Sequence, residues 1–405
     1  MNKLIVSICF YFPVVSSCLN LQGTVSKFVS PVYAQIIAYF NLLLIFLGIF
    51  LFRNQVKHLS RTNKLWFIFY MLYYGFGLLG IGVSGFSTSI IATLVPVVYF
   101  VGFYFFFSDR NQFRTYFKII TICFVISSFL TIILIKLNIN VYTGEEHGWA
   151  MDRAGGITGD ANAAAHTSIF AFIFLNQLFK PSKFIFKLLK IAMLLTIFYS
   201  LILTFSTTGL FVFTIVFTLM NYKLFTGIKL FIFASIIPLF YIGIFAIKSK
   251  IHELGLSVAQ TDKVSNIINL LTLNFDEVDS SGRGNLIEKS LHYIFEKPFI
   301  GNGVDFSVSK LVHNTYVGIW VDAGIFTFLF FIFMLFCYMF RSFTLHPNIR
   351  FFTISILFVL FIFMISLQSV INQPYLIVLF VFAGYLIDHN RVDKGYSNIF
   401  QESED

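Results

Sequence analysis

Apolar residues run along this chain in long blocks, separated by short polar punctuation. The blocks fall at about 4–20, 31–52, 65–83, 90–107, 119–137, 164–179, 191–206, 209–222, 230–247, 313–340, 351–368 and 374–388. An α-helix needs roughly 17–25 residues to cross a bilayer, so the pattern predicts twelve membrane helices, of which 209–222 is the shortest. They divide the chain into five helices in 1–137, a loop at 138–163, four helices in 164–247, a loop at 248–312, three helices in 313–388 and a polar tail at 389–405. The predicted fold is an all-α integral membrane protein with one large helical loop between spans nine and ten. The first block ends in Val15-Ser16-Ser17-Cys18, which resembles a lipoprotein signal. Small residues before a cysteine are also common in membrane helices, and the block is read as an uncleaved first span.

Composition sharpens this picture. Of 405 residues, 58% are hydrophobic and 12% charged, with a mean hydropathy of +0.83. A soluble chain carries about 25% charged residues. This one cannot coat a water-exposed surface, which excludes a cytosolic enzyme or a secreted domain. A net charge of +9 invites a nucleic-acid reading, but in a membrane protein basic residues first set orientation, and no nucleic-acid partner is expected. With the N-terminus inside, 18 of the 28 Lys and Arg fall on the cytoplasmic side. Nine of the other ten lie in, or at the edge of, the two long loops, which translocate largely regardless of charge. Both termini are then cytoplasmic. Cys9, Cys18, Cys123 and Cys337 sit in apolar runs and read as small packing groups, not disulfides or metal ligands.

The polar chemistry therefore concentrates in two outward loops. Connections beyond about 12–15 residues are usually functional or disordered. In the larger, Asp279-Ser280-Ser281-Gly282-Arg283-Gly284-Asn285 precedes Leu286, Ile287, Leu291, Ile294 and Phe295. These apolar positions share a helical face, and Asp279, Ser280 or Ser281 can cap its start. Arg283 then lies near a helix N-terminus, where the macrodipole disfavours a cation. Either it is a solvated surface arginine, or it and the free N–H groups of the first turn converge on an anion such as a diphosphate.

In the smaller loop, Asp152-Arg153-Ala154-Gly155-Gly156-Ile157-Thr158-Gly159-Asp160-Ala161-Asn162 supplies glycines for tight turns beside the membrane. Arg153 could pair with Asp152 or Asp160, or serve an anion. Glu145, Glu146, His147 and His166 flank it, and Asp276-Glu277-Val278-Asp279 is acidic; neither group has recognised metal-ligand spacing, and no metal or other cofactor is expected. The third feature is Leu311-Val312-His313-Asn314-Thr315-Tyr316, opening the tenth span. On one continuous helix, His313, Tyr316, Trp320 and Gly324 would share a face and Asp322 would lie opposite. Asp322 is the one carboxylate well inside a span, a functional position by default, although helix packing would explain it equally well.

Ser281-Gly282-Arg283, Lys297-Pro298-Phe299-Ile300-Gly301-Asn302-Gly303, and His313-Asn314 followed by Gly324-Ile325-Phe326-Thr327 resemble the O-antigen polymerase/ligase family. Arg153 through Asn162 is similar to that family's arginine–glycine–asparagine segment. Thr204-Phe205-Ser206-Thr207-Thr208-Gly209 is similar to its serine–arginine–glycine turn, with Thr207 where the family usually has arginine. The resemblance covers roughly 150–330. It implies a GT-C-like glycosyltransferase at the periplasmic face of the bacterial inner membrane, inverting and metal-independent, acting on an undecaprenyl-diphosphate-linked oligosaccharide. Arg283, Arg153 and His313 would be catalytic, with Asn162, Asn314, Tyr316, Gly282 and Asp160 binding substrate. Glu145, Glu146 or Asp305 are alternative bases to His313. Implied partners are membrane lipid, a chain-length regulator and a flippase.

A polymerase extends a lipid-linked repeat, whereas a ligase moves the glycan to lipid A-core. The run from His313 to Tyr316 and the chain length lean toward the polymerase. A twelve-span transporter is the rival from another class. Transporters place ionisable groups along the midplane of their helices, where this chain has almost only Asp322.

Overall fold

Several helices of this chain start where the sequence supplies a side-chain acceptor for the first free N–H groups. Ser30 accepts from Val32 N at 3.2 Å just before Pro31, Asp160 from Ala163 N at 2.7 Å, Ser206 from Gly209 N at 3.1 Å and Asn314 from Val317 N at 3.1 Å. Each cap answers part of the hydrogen-bond deficit of a helix end. The computed structural model describes residues 3–53, 56, 58–84, 93–141, 152–225, 227, 229, 253, 255–272, 274, 283–367 and 370–389. Regular structure among them is helical: α1 Lys3–Cys18, α2 Leu21–Phe28, α3 Pro31–Phe52, α4 Lys64–Ser84, α5 Val95–Phe106, α6 Arg110–Lys136, α7 Ala161–Leu178, α8 Phe184–Leu203, α9 Thr207–Met220, α10 Val258–Leu271, α11 Arg283–Glu296, α12 Phe306–Ser309, α13 Thr315–Ser342, α14 Pro347–Ser366 and α15 Pro374–His389.

Eleven of the twelve expected spans fall on these helices, and the twelfth, 230–247, lies outside the described residues. Fewer of them are long and apolar enough to cross a membrane alone. Among the described residues five qualify: α3, α6, α8, α13 and the Ile349–Ser366 part of α14. A sixth arises if α1 and α2, bent by 62° at Leu19-Asn20, form one span. The break is local chemistry: Asn20 sits at φ +46° and its side chain accepts from Gly23 N. Helices α5, α9 and α15 are apolar but shorter. Large apolar side chains such as Phe50, Leu195 and Phe336 stand exposed, as lipid-facing residues do.

The chain forms two compact units, residues 1–124 with 283–405, and residues 125–282. At the heart of the first is α15, in which every residue from Tyr375 to Ile387 is buried. A helix apolar all round belongs in an interior. Trp66 of α4 packs on Phe69, Tyr70, Phe100, Phe331 and Phe380. One end of this unit is pinned by Asp388, which accepts from Ser60 Oγ, Thr62 N and Thr62 Oγ1 at 2.7–2.9 Å. In the second unit α7 packs against α8 and α9, and Ser168 and Ser200 hydroxyls meet at 2.8 Å.

The largest departure from the expected pattern lies within α13. The apolar block predicts one uninterrupted helix, yet Ala323 (φ −133°, ψ 15°) and Gly324 (φ 76°, ψ 177°) are non-helical. A conformation like that of Gly324 is essentially restricted to glycine, and a Cβ there would stand 1.9 Å from Phe299 O. Gly324→Ala is therefore expected to cost more than about 3 kcal/mol, from backbone strain plus the clash. Gly75→Ala, where a Cβ meets nothing within 4 Å, is expected to be neutral or stabilising by up to about 1 kcal/mol. Unfolding midpoints of the two variants in detergent check the contrast.

Candidate functional site

Breaking a helix frees carbonyls and N–H groups that must find partners, most urgently in a low-dielectric setting. Here the loop 298–303 supplies them. Asn302 N donates to Val321 O at 2.8 Å, Gly303 N to Asp322 O at 3.0 Å, and Ile325 N to Pro298 O at 2.9 Å. Trp320 Nε1 also donates to Pro298 O, at 3.1 Å. The loop thus replaces the helical ladder across Ala323-Gly324. Its approach needs a bare neighbour on the other side: a Cβ on Gly80 of α4 would lie 2.9 Å from both Gly301 O and Gly303 N. The Asn302 amide links the two helices around the loop, donating to Tyr293 O of α11 at 3.0 Å and Val321 O of α13 at 3.1 Å.

Asp322 anchors the rest of the loop. It is buried and accepts from Ser307 N at 2.6 Å, Ser307 Oγ at 3.0 Å and Tyr73 OH at 2.8 Å. Tyr73 OH also lies 3.3 Å from Asp305 Oδ1, which accepts from Asn372 Nδ2 at 2.8 Å. One phenol proton can serve one carboxylate at a time, and the shorter contact is to Asp322. Burial raises the Asp305 carboxyl above its ordinary pKa, against the opposing pull of Asn372 and Tyr73. Tyr73, Ser307 and Asn372 were not singled out from the sequence. Single polar residues in apolar or loop segments have no local signature, and Tyr73 pairs with Asp322 across 249 residues.

The structure gives the expected site residues of this unit distinct positions. Arg283 is the first described residue of α11, while Gly282 and the expected caps Asp279, Ser280 and Ser281 lie outside the described residues. Ser290 and Ile294 face inward, but Leu291 and Phe295 of the expected apolar face are exposed. His313 is exposed and precedes α13, whose cap is Asn314. The expected shared face of His313, Tyr316, Trp320 and Gly324 therefore does not form: the first residue lies outside the helix and the last is at its break. Tyr316 OH donates to Phe361 O at 2.9 Å. Thr327 Oγ1 donates to Ala323 O at 2.9 Å, just past the break.

The second unit joins the two other recognisable segments. Arg153 Nε donates to Thr204 O at 3.0 Å and Nη2 to Phe205 O at 3.5 Å. Asn162 Oδ1 accepts from Ser206 Oγ at 2.8 Å, and Ala154 N donates to Leu203 O at 3.0 Å. Asp160 is the cap of α7. Between them a 3-10 turn, Gly156–Thr158, is flanked by positive φ at Gly156 and Gly159. Arg153 and Asn162 thus hold the turn 204–206 from two sides, and Thr207 opens α9 directly after it. His166 is buried against Phe170, ring centroids 4.6 Å apart. Glu145, Glu146, His147 and the acidic run 276–279 lie outside the described residues. Cys9, Cys18 and Cys123 are buried and Cys337 half-buried, all as free thiols.

Among the described residues the regular structure is helical, and five helices are long and apolar enough to cross a membrane, the character of a polytopic membrane protein. Residues 191–332 match the family model described as O-antigen ligase, which supports the O-antigen polymerase/ligase family for this chain. The matched stretch contains the turn at 204–209, the start of α11, the loop 298–303 and the break in α13. No curated protein matches the chain.

Asp322→Ala would remove the acceptor of Ser307 N and Ser307 Oγ and the nearer of the two acceptors of Tyr73 OH. It is expected to cost about 2–4 kcal/mol and to expose 297–311 to protease, whereas Tyr73→Phe, losing one donor, should cost about 1 kcal/mol. Unfolding midpoints with limited proteolysis in detergent read both effects.

Proposed function

We propose that the protein is an O-antigen-type polysaccharide polymerase, a glycosyltransferase of the inner membrane that works at the periplasmic face with both termini in the cytoplasm. The observation that carries this reading is the loop 298–303. Through Asn302 it ties the helix that Arg283 opens to the helix that follows His313, so Arg283 and His313 belong to elements braced against one another. The family match over 191–332 supports the reaction class.

In the proposed reaction a hydroxyl of a lipid-linked repeat attacks the anomeric carbon of the donor glycan. The new C–O bond forms as the bond to undecaprenyl diphosphate breaks, with inversion. His313 accepts the hydroxyl proton, a role the imidazole side chain commonly fills in catalysis, and its exposed position admits an acceptor. Negative charge grows on the departing diphosphate, so a cation fixed there stabilises the transition state more than the ground state. Arg283 has that role, aided by the N–H groups of the first turn of α11. Arg153, in the second unit, serves by holding the turn 204–206 with two of its nitrogens. Asn162, Asp160, Asn314 and Tyr316 act mainly by positioning, since each has a polar atom committed to a turn, a cap or a neighbouring helix.

One observation favours a second reading within the family: the matching model is described as O-antigen ligase, so transfer to lipid A-core is the alternative. A transporter is disfavoured, because Asp322 is committed to holding a loop. Gel ladders of surface lipopolysaccharide from a null strain discriminate the two enzymes. Single-repeat molecules are expected for the polymerase, and bare core would mean the ligase. Complementing that strain with Arg283→Ala is expected to slow assembly about 10²–10³-fold at normal protein level, with partial recovery for Arg283→Lys. Wild-type ladders from Arg283→Ala would remove the diphosphate role.

A further inference from the structure

A cavity of about 270 Å³ lies in the first unit, away from the loop 298–303, among residues of α1, α3, α5 and the start of α6. Its lining is graded. Phe10, Gly48, Ile49, Phe52, Phe105 and Phe106 form apolar walls, whereas Arg53, Ser108, Asp109 and Gln112 lie at or just beyond the ends of α3 and α5. The ends of apolar helices mark the membrane–water boundary, so the apolar part sits at hydrocarbon depth and the polar part at headgroup depth.

The walls are stiff. Phe10 stacks on Phe106 with ring centroids 4.1 Å apart and meets Phe103 edge-on at 5.8 Å. Phe10 belongs to a π-helical stretch, Ser7–Tyr11, a distortion frequent at functional sites. Tyr11 fixes the polar rim by donating to Gln112 Oε1 at 2.7 Å. The Arg53 guanidinium lies over the Phe50 ring at 5.1 Å, and Asp109 Oδ1 accepts from Asn111 N at 3.0 Å.

We propose that this cavity binds a zwitterionic, primary-amine phospholipid, with an acyl chain between Phe10, Ile49 and Phe106, its phosphate at Arg53 and its ammonium at Asp109. The pairing follows from charge complementarity. A guanidinium matches phosphate oxygens, and a carboxylate on the same rim favours an ammonium while opposing a headgroup of net negative charge. Arg110 follows Asp109 in the chain but does not line the cavity. Neither the loop 298–303 nor the glycan-transfer reaction is involved, so the proposal stands apart from the proposed function.

The test uses the full chain, purified and delipidated in detergent, then mixed with equal amounts of phosphatidylethanolamine and phosphatidylglycerol. Native mass spectrometry counts the lipid retained. The wild-type protein is expected to retain phosphatidylethanolamine in several-fold excess. Arg53→Gln should reduce retention of both lipids about threefold to tenfold, the scale of one partly exposed charge-assisted contact. Asp109→Asn, which keeps an acceptor for Asn111 N, should shift the preference toward phosphatidylglycerol. Equal retention by the wild type, no retention, or a preference unchanged by Asp109→Asn would overturn the proposal.

Discussion

A helix interrupted inside a membrane protein must have its freed backbone groups satisfied by protein, because lipid offers none. In α13 that requirement falls on Val321 O, Asp322 O and Ile325 N, and the loop 298–303 meets it with three backbone hydrogen bonds. The rest of the first unit is arranged around this repair. Gly80 and Gly324 lack side chains where the loop passes, Asn302 braces α11 against α13, and Asp322 holds Ser307 further along the same loop.

That arrangement explains why the recognisable residues of this region occur as separated short runs. Pro298 through Gly303 is the repairing segment, Gly324 is the break, Thr327 back-bonds to Ala323, and Asn314 starts the helix that breaks. Several of these residues are thus framework, and the proposed mechanism leaves the chemistry to Arg283 and His313. In the second unit Arg153 and Asn162 show the same economy, using side-chain hydrogen bonds to fix the turn 204–206. Thr207 replaces the family's usual arginine at that turn. The proposed mechanism accordingly places no cation at 207.

Much of this was legible in the sequence. The hydropathy blocks located eleven helices, and short polar residues ahead of them, Ser30, Asp160, Ser206 and Asn314, are the observed caps. A helix after Arg283 also followed from the apolar spacing there. The break in α13 did not, because Ala323 and Gly324 sit within an unbroken apolar pattern and hydropathy does not register φ. For the same reason Asp322 read as one polar residue opposite His313. Its partners Tyr73 and Ser307 come from distant segments that no periodicity connects. The exposed Leu291 and Phe295 show a further limit: apolar spacing predicts a face but not what covers it.

Under the proposed function, glycosyl transfer makes a glycosidic bond as a polyprenyl diphosphate linkage breaks. It is tested most directly with the purified full chain in liposomes that contain an undecaprenyl-diphosphate-linked repeat, by measuring released undecaprenyl diphosphate and glycan length together. One diphosphate is expected to be released for each repeat added, with both products falling together in Arg283→Ala. Movement of the lipid-linked glycan across the bilayer with no diphosphate released and no longer glycan formed would contradict it.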